Sequence, residues 1–348
     1  MCRIVYKMQL KNNYVGKNGW IIFWLLTGCF LIYVMVMIGG ITRLTNSGLS
    51  MVEWSATGNL PPLNETEWLG QYEKYKQSPE YKVINCNFSL SDFKQIFWWE
   101  YIHRFVGRSI GIIFLFPFFY FWLAKKFPNG FIPKMILLLF LGALQGLVGW
   151  LMVKSGLVKN PHVSHYRLTL HLTTALTLLG FTFWFALDLL YPEKEKIGNI
   201  PIKRGILALL GLIIIQIIYG AFVAGLKAGY LYSTFPKMGE TWIPEEILLL
   251  YPTWRNFLEG HAGVQFIHRY IAYALVLFVV VIFYISQKVY LTSIQKKLFN
   301  CLLLVVLVQF ILGVTTLIFH VPIVAAILHQ GGAFFLFGTA LFLIHRLK

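Results

Sequence analysis

Charge is what this chain has least of. Only 13% of its 348 residues are Asp, Glu, Lys or Arg, and just 14 are acidic, whereas soluble domains carry about 25% charged residues. With 57% hydrophobic residues and a mean hydropathy of +0.66, that scarcity excludes an ordinary soluble domain, which needs charge to cover its water-facing surface. Cysteine is also sparse. Cys2, Cys29, Cys86 and Cys301 show no CxxC or CxxCH spacing, so there is no basis for zinc, iron–sulfur or covalently attached haem, and none for a disulfide. Cys29 and Cys301 fall in apolar runs, where a thiol behaves as a small hydrophobe, and Cys86 stands alone in a long loop. The shortage of acid leaves a formal charge of +16. In a chain this apolar, such residues orient loops and meet anionic lipid head groups, so membrane lipid is an expected partner and nucleic acid is not.

Long apolar runs are what the chain does have. About 20 residues cross the roughly 30 Å hydrocarbon layer as helix, which predicts eight spans near 20–40, 99–124, 133–153, 166–190, 205–226, 263–286, 297–319 and 323–345. The first run, from Trp20, is too long for a signal-peptide core and lacks a small-x-small cleavage site, so it is expected to stay as a helix. Lys and Arg collect at the N-terminus (Arg3, Lys7, Lys11, Lys17), in three turns (Lys125, Lys126, Lys134; Lys194, Lys196, Lys203, Arg204; Lys288, Lys296, Lys297) and in the tail (Arg346, Lys348). The positive-inside rule then places both termini in the cytoplasm. The long loops 41–98 and 227–262 fall on the outer side, and their Trp and Pro residues, among them Trp54, Trp68, Trp242 and Trp254, suggest ordered caps.

A repeat organises the chain. EYIHR (100–104) is echoed by QFIHR (265–269), and His171 in helix 4 is echoed by His329 in helix 8. Odd-numbered spans share small residues near their outer ends, in IGGITRLTNSGL, LQGLVGWLMVKSGL, QIIYGAFVAGLKAG and QFILGVTTLIFHV. The expected fold is all-α and integral to the membrane, with eight transmembrane helices arranged as two tandem pseudo-symmetric four-helix bundles, residues 1–195 and 196–348.

Even-numbered helices run inward, so His103, His171, His268 and His329 share one depth near the outer surface. Ionisable groups at membrane depth are costly and mark functional sites. Two imidazoles per bundle on facing helices is the arrangement that clamps a haem iron, which makes all four histidines expected iron ligands. Gly107 and Gly111 would leave room for a porphyrin face, and Arg104 and Arg269 are candidate partners for haem propionates. His162, His165, His261 and His320 are expected in outer loops, and His345 in a structural role at the cytoplasmic end. The halves differ at one position: Glu100 stands three residues before His103, where the second half has Gln265 before His268. A carboxylate can exchange protons and an amide cannot, so the first half is the candidate for chemistry. A plain i,i+4 ion pair between Glu100 and Arg104 is the other reading of that residue.

The strings GGITRLTNSGLSMVEW (39–54), GNLPPLNETEWLGQYEKYKQSPEYK (58–82) and EYIHRFVGR (100–108) together resemble the haem A synthase family, in its mitochondrial and proteobacterial branch, over nearly the whole chain. The resemblance implies an oxidoreductase that converts the C8 methyl group of haem O to the formyl group of haem A by successive hydroxylations and loss of water. It implies that His103 and His171 flank the substrate haem O with Arg104 beside them, that Glu100 assists catalysis, and that His268 and His329, with Arg269, bind a resident haem b. A haem O synthase, an electron acceptor and a second copy of the chain are the candidate protein partners. The bacterial inner membrane is the expected location, with the mitochondrial inner membrane as the alternative. A cysteine pair found in an outer loop of another branch has no counterpart here beyond Cys86. A quinol-linked dihaem b-type electron carrier also fits four histidines, but it accounts less well for Glu100 and the long loop; a haem transporter or chaperone would not need paired ligands in both halves.

Overall fold

Among the described residues, eight stretches form helices long and apolar enough to cross a bilayer. They are α1 (Gly19–Leu44), α4 (Leu90–Leu123), α5 (Ile132–Gly156), α6 (His165–Leu190), α7 (Ile200–Gly225), α8 (His261–Ser286), α9 (Ser293–Ile318) and α10 (Ile323–Arg346), with α2 (Glu65–Lys76) and α3 (Pro79–Val83) in the loop before α4. The computed structural model describes residues 16–53, 58, 60–157, 161–192 and 200–347. Cys2, Arg3, Lys7, Lys11, Trp54, Lys194, Lys196, Lys348 and the expected boundary at 195 lie outside the described residues. Among the described residues the regular structure is helical, apart from an isolated bridge between Met238 and Thr241.

The spans fall where hydropathy predicts, with one informative exception. α4 has 34 residues, about 50 Å of helix, and it starts at Leu90 because Ser89 and Asp92 form a capping box: Ser89 N–H donates to the Asp92 carboxylate at 2.9 Å while Asp92 N–H donates to Ser89 Oγ at 3.3 Å. Its first turns therefore stand outside the bilayer. There Phe93, Ile96 and Phe97 bury against Trp68 and Tyr75 of α2, whose own start is capped by Asn64 Oδ1 accepting from Glu67 N–H at 2.9 Å. Further along α4, Pro117 has no N–H to give to Ile113. The indole of Trp24 in α1 donates to that freed carbonyl instead, at 3.1 Å.

Side-chain packing sets the arrangement. α1 packs on α4, α6 and α10; α6 also meets α5, α7 and α10; α7 meets α8 and α10; and α9 lies between α8 and α10. The main apolar core runs through α1 and α6 to α10, with Ile206, Leu209, Ala340 and Leu343 fully buried. A second cluster gathers Trp24, Leu25, Phe118, Met135 and Ala186. Exposed Trp20, Phe23, Phe30, Phe116, Leu123, Leu277 and Tyr284 would be a liability in water and are instead a lipid-facing rim.

Candidate functional site

Each of the four motif histidines rests against a glycine of a neighbouring odd-numbered span. A Cβ placed on Gly39 of α1 would lie 3.3 Å from His103 Nε2, and one on Gly149 of α5 would lie 2.8 Å from His171 Cε1. In the other half the same test gives 3.2 Å from Gly220 of α7 to His268 Cε1 and 2.8 Å from Gly313 of α9 to His329 Cε1. At Gly149 and Gly313 an added Cβ would require the imidazole to shift, and at Gly39 and Gly220 it would press on the ring by a few tenths of an ångström. Three of the four glycines follow a glutamine by one helical turn. Gln145, Gln216 and Gln309 donate through Nε2 to the backbone carbonyls of His171, His268 and His329 at 3.1, 3.0 and 2.7 Å. In α1 the corresponding residue is Met35. The Gln-x-x-x-Gly string is a helical-turn spacing visible in the sequence, but the histidine carbonyls that receive the glutamines come within reach only when the helices pack.

All four histidines line one cavity of about 1820 Å³, together with Glu80, Glu100, Arg104 and Arg269. His268 and His329 meet there with ring centroids 6.4 Å apart and planes at 90°, and His329 Nδ1 lies 3.2 Å from the Gln309 carbonyl oxygen. The resident haem b expected in the second half is not supported by the structure. Among the described residues no three or more His, Cys, Asp or Glu side chains group so as to hold a metal ion. Among the described residues no carboxylate or thiolate is grouped with His268 and His329, and haem b is not assigned to the protein.

The segments that cap the cavity are tied down by the residues just before each Ile-His-Arg triplet and by the arginine that ends it. Glu100 is 2% exposed. It accepts from Ser50 Oγ at 2.7 Å and from the Met51 N–H at 2.8 Å, and it pairs with Arg104 Nη2 at 2.6 Å. Arg104 also donates to the carbonyls of Met51 and Glu53 at 3.1 and 3.2 Å. The i,i+4 ion pair is thus the geometry found, and Arg104 is engaged with the loop. In the second half Gln265 Nε2 donates to the Tyr232 carbonyl at 3.0 Å, while Arg269 donates to the carbonyls of Tyr232, Thr234 and Lys237 at 2.6, 2.8 and 3.2 Å. Both arginines expected to meet propionates are, in this structure, loop clamps.

The COX15-CtaA family, described as cytochrome oxidase assembly protein, matches residues 22–341. The chain belongs to this family. Heme A synthase of Flavobacterium psychrophilum is 48% identical over 335 residues, covering 95% of this chain and 98% of its own length. Proteins of the same name from Flavobacterium johnsoniae and Nitrosospira multiformis are each 46% identical, over 95% and 93% of this chain and 99% and 92% of their own lengths.

In this COX15-CtaA chain two further features bear on the cavity. Glu80 of α3 is a carboxylate on its wall that sequence reasoning missed, because its burial depends on how the outer loop folds. Adjacent residues of α1 also touch both halves: Gly39 faces His103, while a Cβ on Gly40 would lie 3.0 Å from Gln330 Oε1, and Gln330 Nε2 donates to the Val36 carbonyl at 2.7 Å. Of the remaining histidines, His165 lies 3.0 Å from the Leu258 carbonyl of the second loop, and His345 lies 3.1 Å from Asp188 Oδ1, with Lys134 on the other carboxylate oxygen at 2.7 Å.

Proposed function

We infer that this membrane-embedded chain is an oxidoreductase that converts the C8 methyl group of haem O to the formyl group of haem A, in the service of cytochrome oxidase assembly. The observation that carries this reading is full-length similarity to relatives named heme A synthase, on a chain whose cavity is lined by the motif histidines.

The finer reading assigns haem O to the N-terminal half, residues 1–195. His103 and His171 flank the substrate iron, each held by its glycine ledge. Glu100 sits one helical turn from His103 on the same helix and is the candidate proton-exchanging group of this half, which the carboxylate-for-amide difference from Gln265 supports. Arg104 fixes Glu100 and the loop over the cavity mouth. The C-terminal half, residues 196–348, is its structural counterpart: His268, His329 and Arg269 occupy matched positions. The recurring Gln-x-x-x-Gly ledges support a pseudo-symmetric pair of four-helix bundles. We place the protein in a bacterial inner membrane with both termini cytoplasmic, receiving haem O from its synthase and passing electrons to an acceptor. The quinol-linked carrier is not retained, because it gives no account of relatives named for haem A synthesis.

The test is chemical. Membranes that contain this chain and a source of haem O are extracted, and the non-covalent haems are separated by chromatography. Haem A is the expected product; haem O recovered unchanged, against a control synthase that converts it, overturns the assignment.

A further inference from the structure

The wall of the cavity in the first half carries a second acidic side chain, and its surroundings differ sharply from those of Glu100. Glu80 is 4% exposed and belongs to α3, which Ser78 caps by accepting the Tyr81 N–H at 3.2 Å. The hydroxyl of Tyr75 donates to Glu80 Oε2 at 3.1 Å, and Asn85 Nδ2 donates to that hydroxyl at 2.8 Å. Tyr75 is itself fully buried and stacks on Phe93 with centroids 5.0 Å apart, which fixes its hydroxyl. The titratable and charged groups that bear on Glu80 are Tyr75 from α2, Glu100 from α4 and Lys227 from the segment after α7. The Lys227 ammonium donates to Asn46 Oδ1 at 3.1 Å. Glu100, by contrast, is held by a hydroxyl, a backbone N–H and a guanidinium.

Two carboxylates thus share one wall, with one locked by a cation and the other met by a neutral phenol. Sites that perform acid–base chemistry set paired carboxyls apart in this way. We propose that Glu80 is a proton-exchanging residue of this cavity, passing protons between the site at Glu100 and the aqueous side; the proposal rests on the haem O reading above. The step moves a proton alone. An O–H bond of a hydroxyl or water in the cavity breaks, its electron pair stays on that oxygen, and a new O–H bond forms on Glu80. The acid then releases the proton to solvent, so no electron is transferred and no oxidant is consumed in the step. Burial lifts the Glu80 carboxyl to about 7, opposed by the Tyr75 hydrogen bond and reinforced by the charge of Glu100, which suits exchange near neutrality.

The experiment measures haem A formation from haem O in membranes between about pH 5.5 and 8.5 for the whole protein, Glu80→Gln and Tyr75→Phe, with haem O binding to each purified protein as a second readout. The wild-type rate should rise with pH through a midpoint near 7, as Glu80 becomes the proton-accepting carboxylate. Glu80→Gln should bind haem O as tightly as wild type yet lose about 10- to 100-fold in rate, and the limb should vanish. Tyr75→Phe removes a donor that favours the carboxylate, so its limb should move to higher pH. A Glu80→Gln profile that superimposes on wild type overturns the proposal. If Glu80→Gln loses haem O binding through misassembly, an unmoved limb in Tyr75→Phe overturns it. Absence of haem A from the wild-type membranes instead overturns the haem O reading, and the proposal falls with it.

Discussion

The two halves use the same tool with opposite polarity. In the first, an acidic side chain accepts the Met51 N–H; in the second, an amide donates to the Tyr232 carbonyl. Each is followed four residues later by an arginine that gathers loop carbonyls. Buried polar groups must be paired, so each loop restricts which partner its helix can offer: the Met51 N–H needs an acceptor, which Glu100 supplies, and the Tyr232 C=O needs a donor, which Gln265 supplies and a carboxylate could not. The Glu100-to-Gln265 difference is therefore in part a matter of loop geometry.

The largest effect that would sharpen this comparison is expected from His103→Ala and His171→Ala, each of which should lower the haem A yield on the order of 100-fold. A yield within about threefold of wild type, read from extracted haems, removes the first half from the chemistry. Next comes Glu100→Gln, which gives the first half the side chain of the second. It should fold and bind haem O, but cut the rate by about 100-fold. An unchanged rate would leave Glu100 as a clamp alone. Substitution of the ledges should be graded by the space available: Gly149→Ala puts a methyl 2.8 Å from His171, and Gly39→Ala puts one 3.3 Å from His103. The former should weaken haem O binding by about tenfold and the latter by less, since overpacking costs about 1–3 kcal/mol and falls as a neighbour can give way. The reverse order would mean that the rings are not held by these contacts. The smallest change in product is expected from Gln265→Glu. It deprives the Tyr232 carbonyl of a buried donor and should cost about 1–3 kcal/mol in thermal or denaturant stability, with the haem A rate per folded molecule preserved.

The eight spans were legible because hydrophobic length is a local property of the chain. The start of α4 was not, since residues 90–98 mix Asp92, Lys94 and Gln95 with Phe93, Ile96 and Phe97, and a hydropathy window does not register a helix that continues into water. The Ser89–Asp92 spacing carried that information. The histidines stood out through the repeat, and the ion pair of Glu100 was readable from its four-residue spacing to Arg104. The direction of Arg104 was not, because loop carbonyls that converge on a guanidinium come together only in the folded chain. Glu80 was invisible for the same reason: in sequence it is one acid among several in a polar loop, and it joins the cavity lining beside Tyr75 only in the folded loop.

Neighbouring glycines on α1 carry a further implication. Gly39 bears on an imidazole of one half and Gly40 on the residue that follows His329 in the other, contacts separated by a rise of about 1.5 Å. A side chain at either position would press on a different half of the molecule, so the first helix is kept bare at the one place where both halves reach it.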